Sequence, residues 1–283
     1  MKKLLLLVLS ALAILPLHAG IIVTDSLYSN ILHAKVKYNV YLPDGYDASR
    51  HYPAVYLLHG LSDDYDSWKT KGRMDLVADE LIRSGEAASM VVIMPNAGGP
   101  DIHHTWNGYF NMPGWKYEDF FFQELIPSAE KKYSCGGSKG KRAVMGLSMG
   151  GGGSVVYAQK HPDMFSSCYA MSAWLDNQYD EVGTQNAPKD CLYYVGKAVR
   201  ENSALDFIAN ADEKTLEALR TVAWFIDCGD DDFLFDLSVA LHQKMRRSGV
   251  KSELRVRDGV HNWEYWHLAL RLSLPFATRN FER

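Results

Sequence analysis

The sequence predicts an α/β fold: a mostly parallel central sheet with helices on both faces. Three observations carry that prediction. Apolar, β-branched runs of strand length recur along the chain, helical patterns separate them, and several of the runs are continuously apolar instead of alternating. Strands covered on both faces need such continuous runs, and a β-α-β-α rhythm leads to parallel neighbours joined by right-handed crossovers. In a sheet of this kind the ligand lies outside the carboxyl ends of the strands.

The chain opens MKKLLLLVLSALAILPLHAG. Two lysines, an apolar run too short for a membrane span of ~20 residues, and the small residue Ala19 read as a secretory signal cut after Ala19. Loss of residues 1–19 removes Lys2 and Lys3 and no acid, which takes the formal net charge from −4 to −6. That balance argues against a nucleic-acid partner. Residues 20–283 suit one domain. VKYNVYL (36–42) alternates as an early strand; AVYLLHG (54–60) and MVVIMPN (90–96) are buried-strand runs. Between them MDLVADELIRSG (74–85) places Leu76, Val77, Leu81 and Ile82 on one helical face and stops at glycine. The helical pattern 118–133 contains Pro127, which should kink or interrupt it. RAVMGL (142–147) is the next strand, followed by a helix to about Lys160 and the strand SSCYAMS (166–172). The stretch 174–220 is less regular and is expected to form a small cap. Strand 222–229, helix 233–248, strand 253–259 and a final helix from about Trp263 restore the rhythm.

Residues 146–150, GLSMG, lie between a strand and a helix. That is the setting of a G-x-S-x-G nucleophile elbow, in which side chains at the two glycines would clash with a tight turn and the serine holds a strained backbone. Ser148 is therefore the candidate nucleophile, with a helix N-terminus behind it where an oxyanion would form. A serine hydroxyl needs a base, and the base an orienting acid, in the chain order Ser, Asp or Glu, His. Of the ten histidines only His261 and His267 follow the last strand; His261 is in the loop after Asp258-Gly259, whereas His267 is inside the helix. His261 is the candidate base. For the acid, Asp227 belongs to the strand and Asp236 to the helix, and position alone leaves Asp230, Asp231 and Asp232 open. His59-Gly60 end a buried strand, and Gly60 lets the chain fold back over the site, so the N–H groups of Leu61 and Met149 are the expected oxyanion donors.

YLLHGLSDDYDSW, GLSMGGGGSVVYAQKHPDMF, DCGDDDFL and DGVHNWEYW together resemble the esterase D-like ("putative esterase") family of α/β-hydrolases, in order and over nearly the whole chain after the signal. That family includes tributyrin esterases, S-formylglutathione hydrolases, mycolyltransferases of the antigen 85 type, and feruloyl and acetylxylan esterases of carbohydrate esterase family 1. The resemblance supports Ser148 and His261. It also selects the acid, because the family's Gly, two variable residues, then Asp-Phe-Leu falls on Gly229 to Leu234 and makes it Asp232. It implies acyl transfer through an acyl-enzyme, with no metal or organic cofactor.

Aromatic residues in the 174–220 stretch (Trp174, Tyr179, Tyr193, Tyr194, Phe207) and in the 103–117 loop (Trp106, Tyr109, Phe110, Trp115) suit an aryl acid or a sugar face. With export, they point to feruloyl or acetyl esters of plant-polysaccharide fragments. Short-chain acyl-glycerol esterase, S-formylglutathione hydrolase-like thioesterase and acyltransferase are the alternatives, with an inactive hydrolase-fold binding module as the non-enzymatic one. The expected partner is a small-molecule or oligosaccharide ester, without stable membrane insertion, and oligomeric state is left open. Cys135 and Cys168 precede successive strands at one end of the sheet, whereas Cys228 ends a strand at the other, where Cys191 of the cap could reach it. The expected disulfides are 135–168 and 191–228.

Overall fold

A computed structural model of the chain describes residues 19–177 and 190–282. Its strands are β1 (Ile21–Ser29), β2 (Ala34–Leu42), β3 (Ala54–Leu58), β4 (Val91–Pro95), β5 (Asn111–Met112), β6 (Trp115–Lys116), β7 (Arg142–Leu147), β8 (Ser167–Met171), β9 (Ala223–Gly229) and β10 (Ser252–Arg257). Eight of them form one mixed sheet in the order β1-β2-β4-β3-β7-β8-β9-β10, and β5-β6 is a separate hairpin. β2 runs against β1 and β4, while β4, β3, β7, β8, β9 and β10 are parallel.

The helices are α1 (Ser67–Thr70), α2 (Met74–Ser84), α3 (Tyr117–Phe120), α4 (Ile126–Lys132), α5 (Met149–Lys160), α6 (Cys191–Glu201), α7 (Ala204–Asn210), α8 (Glu213–Leu219), α9 (Phe235–Arg247) and α10 (Trp263–Arg279). They bury the sheet from both sides. Along β3, Ala54, Tyr56 and Leu58 enter the core shared with α4, α5 and α9, and Val55 and Leu57 enter the core shared with α2 and α10. β3, β4, β7 and β8 are buried at every position, as their continuous apolar runs require. Each large aliphatic side chain so buried contributes about 1.5–3 kcal/mol.

Several details depart from the sequence expectation. β1 carries no clear strand signal, because it is a half-exposed edge strand interrupted by Asp25 and Ser26. α2 buries Met74, Val77, Ala78 and Leu81, and Leu76 faces solvent, so its core face is turned by about one residue from the one expected. The interruption expected at Pro127, by contrast, is present, since Pro127 stands in the first turn of α4. A π-helical turn, Phe121–Leu125, joins α3 to α4 just before it; proline lacks an N–H and crowds the carbonyl four residues back, and the widened turn gives room there. The two expected disulfides are absent, all four cysteines being free thiols. Cys135 pairs with Tyr52 beyond the start of β3, and β7 separates that position from Cys168 in β8. Cys228 is buried in β9 beside the Ser172 and Ser238 hydroxyls, whereas Cys191 starts α6, its N–H bonded to the His103 carbonyl. Of the 174–220 stretch, α6 lies along the 103–112 loop, α7 packs against α5 and α9, and residues 178–189, with Tyr179, fall outside the described residues.

The register decides where chemistry can occur. Leu58 stands opposite Gly146, Leu147 opposite Met171, Met171 opposite Asp227, and Gly229 opposite Arg257. The loops that leave β3, β7, β8, β9 and β10 therefore emerge along one edge.

Candidate active site

Ser148 sits between β7 and α5 with φ 53° and ψ −119°. A non-glycine residue held there costs of order 1–3 kcal/mol and persists only where its surroundings fix it. They do so through three backbone bonds: Ser148 N–H donates to the Met171 carbonyl at 2.9 Å, and the Ser148 carbonyl accepts from Trp174 N–H at 2.9 Å and Gly152 N–H at 3.0 Å. The flanking glycines permit the close approach this needs. A Cβ on Gly146 would stand 2.5 Å from the Gly150 carbonyl oxygen, and one on Gly150 would stand 2.5 Å from the His59 carbonyl oxygen.

His261 and Asp232 meet Ser148 from the loops after β10 and β9. His261 Nε2 lies 3.0 Å from Ser148 Oγ, and its Nδ1 lies 2.9 and 3.0 Å from the two Asp232 oxygens. Only one tautomer satisfies this chain: Nδ1–H donates to the carboxylate, which leaves Nε2 free to accept the serine proton. Asp232 is fully enclosed, its side chain 0 % exposed, and His261 keeps 16 %. Burial acts to raise the Asp232 pKa, but hydrogen bonds from His261, Leu234 N–H and the Ser172 hydroxyl outweigh it and hold the carboxyl below its ordinary value. The imidazole is also packed between two rings, Phe233 at 4.4 Å and Trp266 at 4.8 Å between centroids.

The other carboxylates have other tasks. Asp227 is buried under the site and accepts from the Tyr169 and Tyr265 hydroxyls at 2.6 and 2.5 Å. Asp230 accepts from Gly259 N–H at 3.1 Å, and Asp236 is in the first turn of α9. His267 is turned away, with Nδ1 2.7 Å from the Gly72 carbonyl oxygen. His103 and His104 each pair with a carboxylate, Asp190 and Asp101.

Met149 follows the serine at the start of α5, and Gly60, the residue before Leu61, lies beside it. Gly60 lies so near it that a Cβ there would be 3.5 Å from Ser148 Cβ and 2.6 Å from Leu147 Cδ1. Gly60 thus serves close approach, and the left-handed backbone of this loop falls two residues later, at Ser62 (φ 63°). Of the expected aromatic wall, Tyr109 and Phe110 are core residues, whereas Trp106 packs on Tyr194 of α6. A small apolar crevice adjoins Met149 between Tyr109 and the α6 residues Val195 and Val199.

Two further participants carry no motif. Ser172, at the end of β8, has φ 45° and accepts from Trp266 Nε1–H at 3.0 Å, and its hydroxyl is among the groups that hold the Asp232 carboxyl low. The only trace of Ser172 in the sequence is a serine immediately after a strand. Trp266 reads simply as an apolar position of the last helix.

A family model described as "Putative esterase" matches residues 29–277. An endo-1,4-beta-xylanase/feruloyl esterase of Xylanibacter ruminicola is 26% identical over 238 residues, covering 82% of this chain and 28% of that protein, so the chain spans little more than a quarter of its length. A diacylglycerol acyltransferase/mycolyltransferase Ag85C of Mycobacterium avium is 32% identical over 258 residues, covering 78% of this chain and 69% of that one. Among solved structures, a ferulic acid esterase superposes with TM-score 0.88 at 47% identity, covering 93% of this chain and all of the other. A feruloyl esterase module from Clostridium thermocellum complexed with sinapinate shares the fold, with TM-score 0.70 at 21% identity over 95% of this chain and 91% of that one.

Proposed function

We propose that this chain, which belongs to the "putative esterase" family and is a serine carboxylic ester hydrolase, cleaves feruloyl esters of plant-polysaccharide fragments through Ser148, His261 and Asp232. The observation that carries the reading is the unbroken run of hydrogen bonds from Ser148 Oγ through His261 to a buried carboxylate, at the strand edge where ligands bind. In the first half-reaction the Ser148 hydroxyl proton passes to His261 Nε2 as Oγ bonds to the ester carbonyl carbon. Asp232 stabilises the imidazolium, and the Leu61 and Met149 N–H groups donate to the oxyanion. Nε2–H then protonates the leaving alcohol as the C–O bond breaks. Water attacks the acyl-enzyme by the same route and releases acid and free Ser148.

Feruloyl is preferred over acetyl because the 47% identical structure is a ferulic acid esterase and one relative is a xylanase/feruloyl esterase. The Ag85C relative supports a second reading, acyl transfer, in which an alcohol replaces water in the second half. The proposal includes residues 20–283 as one catalytic domain exported after loss of residues 1–19. Gly20 N lies 2.9 Å from an Asp79 oxygen, so cleavage after Ala19 would place the new ammonium on a carboxylate. No described helix is long and apolar enough to cross a membrane.

Rates on methyl ferulate, acetylated xylo-oligosaccharide, tributyrin and S-formylglutathione, each with wild type and Ser148→Ala, test the reading. Methyl ferulate is expected to lead, with Ser148→Ala inactive on all four. Equal rates in both proteins would remove Ser148 from the chemistry, and tributyrin or S-formylglutathione in first place would replace the substrate class.

A further inference from the structure

We infer that His59 is a positioning residue that aims the Leu61 N–H at the oxyanion by holding the Gly60–Leu61 peptide plane; this rests on Leu61 being an oxyanion donor. His59 is buried in the loop after β3, and both its ring nitrogens are engaged. Ala97 N–H donates to Nε2 at 3.0 Å, and Nδ1 lies 2.8 Å from the Gly60 carbonyl oxygen. Nε2 accepts and so carries no hydrogen; the proton is on Nδ1 and is donated to Gly60. Burial, which holds the His59 pKa below its ordinary value, favours this neutral form.

The consequence follows from peptide geometry. In a planar trans peptide the C=O and N–H vectors point in opposite directions. Fixing the Gly60 carbonyl toward the imidazole, where it also accepts from Asp63 N–H at 3.3 Å, therefore fixes the Leu61 N–H away from it, and Gly60 itself lies close enough to the serine that a Cβ there would be 3.5 Å from Ser148 Cβ. The hydrogen bond to the carbonyl also polarises that N–H.

The preceding peptides are held in the same manner. The Trp68 indole N–H donates to the Leu58 carbonyl at 3.1 Å, and the Tyr109 hydroxyl donates to the His59 carbonyl at 3.0 Å. Three consecutive carbonyls, 58 to 60, thus each accept from a buried side chain. Tyr109 is itself tied to α5, since the Tyr157 hydroxyl donates to the Tyr109 carbonyl. The loop and the helix behind Ser148 share one frame, so the two oxyanion donors keep a fixed separation.

Asparagine and glutamine divide the two functions of the ring. His59→Asn sets an amide N–H near the Nδ1 position and keeps the bond to Gly60; His59→Gln sets an acceptor near the Nε2 position and keeps the bond to Ala97. If aiming Leu61 is the role, His59→Asn retains kcat within about 10-fold, whereas His59→Gln loses about 10²-fold, as when an oxyanion donor is removed, with KM for methyl ferulate unchanged in both. Affinity for an aryl boronic acid, whose serine adduct is a tetrahedral anion, falls in parallel with kcat, and affinity for ferulic acid stays constant. The reverse ranking, or a boronate affinity unchanged in His59→Gln, overturns the proposal. Nitrogen-15 histidine NMR of the wild type supplies a test that needs no variant: the His59 signal must show Nδ1 protonated, and the Nε2–H form overturns the proposal. Ser148→Ala in the same series separates the two failures, since its inactivity keeps the esterase reading whichever way His59 behaves.

Discussion

Strand β7 carries a buried polar network at each end, and the two differ in every respect that matters for catalysis. At its amino end the Arg142 guanidinium bonds both oxygens of Glu130, at 2.6 and 2.8 Å. Glu130 also accepts from the Tyr56 hydroxyl at 3.1 Å and Gly137 N–H at 2.7 Å, and Arg142 donates to the Met164 carbonyl at 2.9 Å. Arg142 has ordinary extended backbone, and both side chains are more than nine-tenths buried. Six residues later, Ser148 is in a left-handed conformation, and its proton is bonded to an imidazole that remains partly exposed. The first network has no group left to move. The second stores backbone strain and keeps one proton mobile along a line that ends at solvent. If Ser148 is the nucleophile proposed above, one strand anchors the fold at one end and presents chemistry at the other, and changes at the two ends should separate stability from rate.

The largest effect is expected from Asp232→Asn. An amide in that place cannot hold the Nδ1–H tautomer as the carboxylate does, and kcat should fall about 10⁴-fold. Next is Arg142→Ala, which leaves Glu130 as an uncompensated buried charge. Denaturant titration should show a loss of about 3–5 kcal/mol, with kcat per folded molecule unchanged. A large kcat loss in a fully folded Arg142→Ala protein would show that the two ends are coupled, and would break the comparison.

A smaller change sharpens it. Trp266→Phe removes the donor to Ser172 and weakens the support of Asp232; a loss of about 1 kcal/mol for a hydrogen bond corresponds to a several-fold fall in kcat with KM unchanged. The smallest effect is in acid. A carboxyl whose folded pKa is depressed adds stability that is present above its unfolded value, ~3.9, and is lost as pH falls through the folded value. Asp232→Asn should therefore flatten the stability profile below about pH 4, and an unchanged slope would show that Asp232 is not held low.

The ends of β7 also show how much was legible in the sequence. RAVMGL reads as a strand because every position is buried, and GLSMG reads as an elbow because the clashes that forbid side chains at Gly146 and Gly150 are local to the turn. Asp232 did not follow from spacing: Asp230, Asp231 and Asp232 are adjacent in one loop, and only the family resemblance chose among them. Ser172 and Trp266 were illegible because their contact spans 94 residues; it exists only once β8 and α10 have packed. Glu130 and Arg142 were missed as well, since a charged residue opening an apolar strand reads as a surface boundary until its partner folds beside it. The cysteine pairing failed for a related reason. For Cys135 and Cys168, strand order in the sheet puts β7 between them, which order along the chain does not reveal.

Ser148 acylation is measured by a rapid-mixing burst with p-nitrophenyl acetate, followed by peptide mapping of acid-quenched enzyme. A Ser148 acyl-enzyme gives a burst approaching one equivalent of nitrophenol, with the acetyl group on the peptide containing Ser148, and neither burst nor adduct in Ser148→Ala. A stoichiometric burst that persists in Ser148→Ala, or an acetyl group on another residue, would contradict Ser148 acylation.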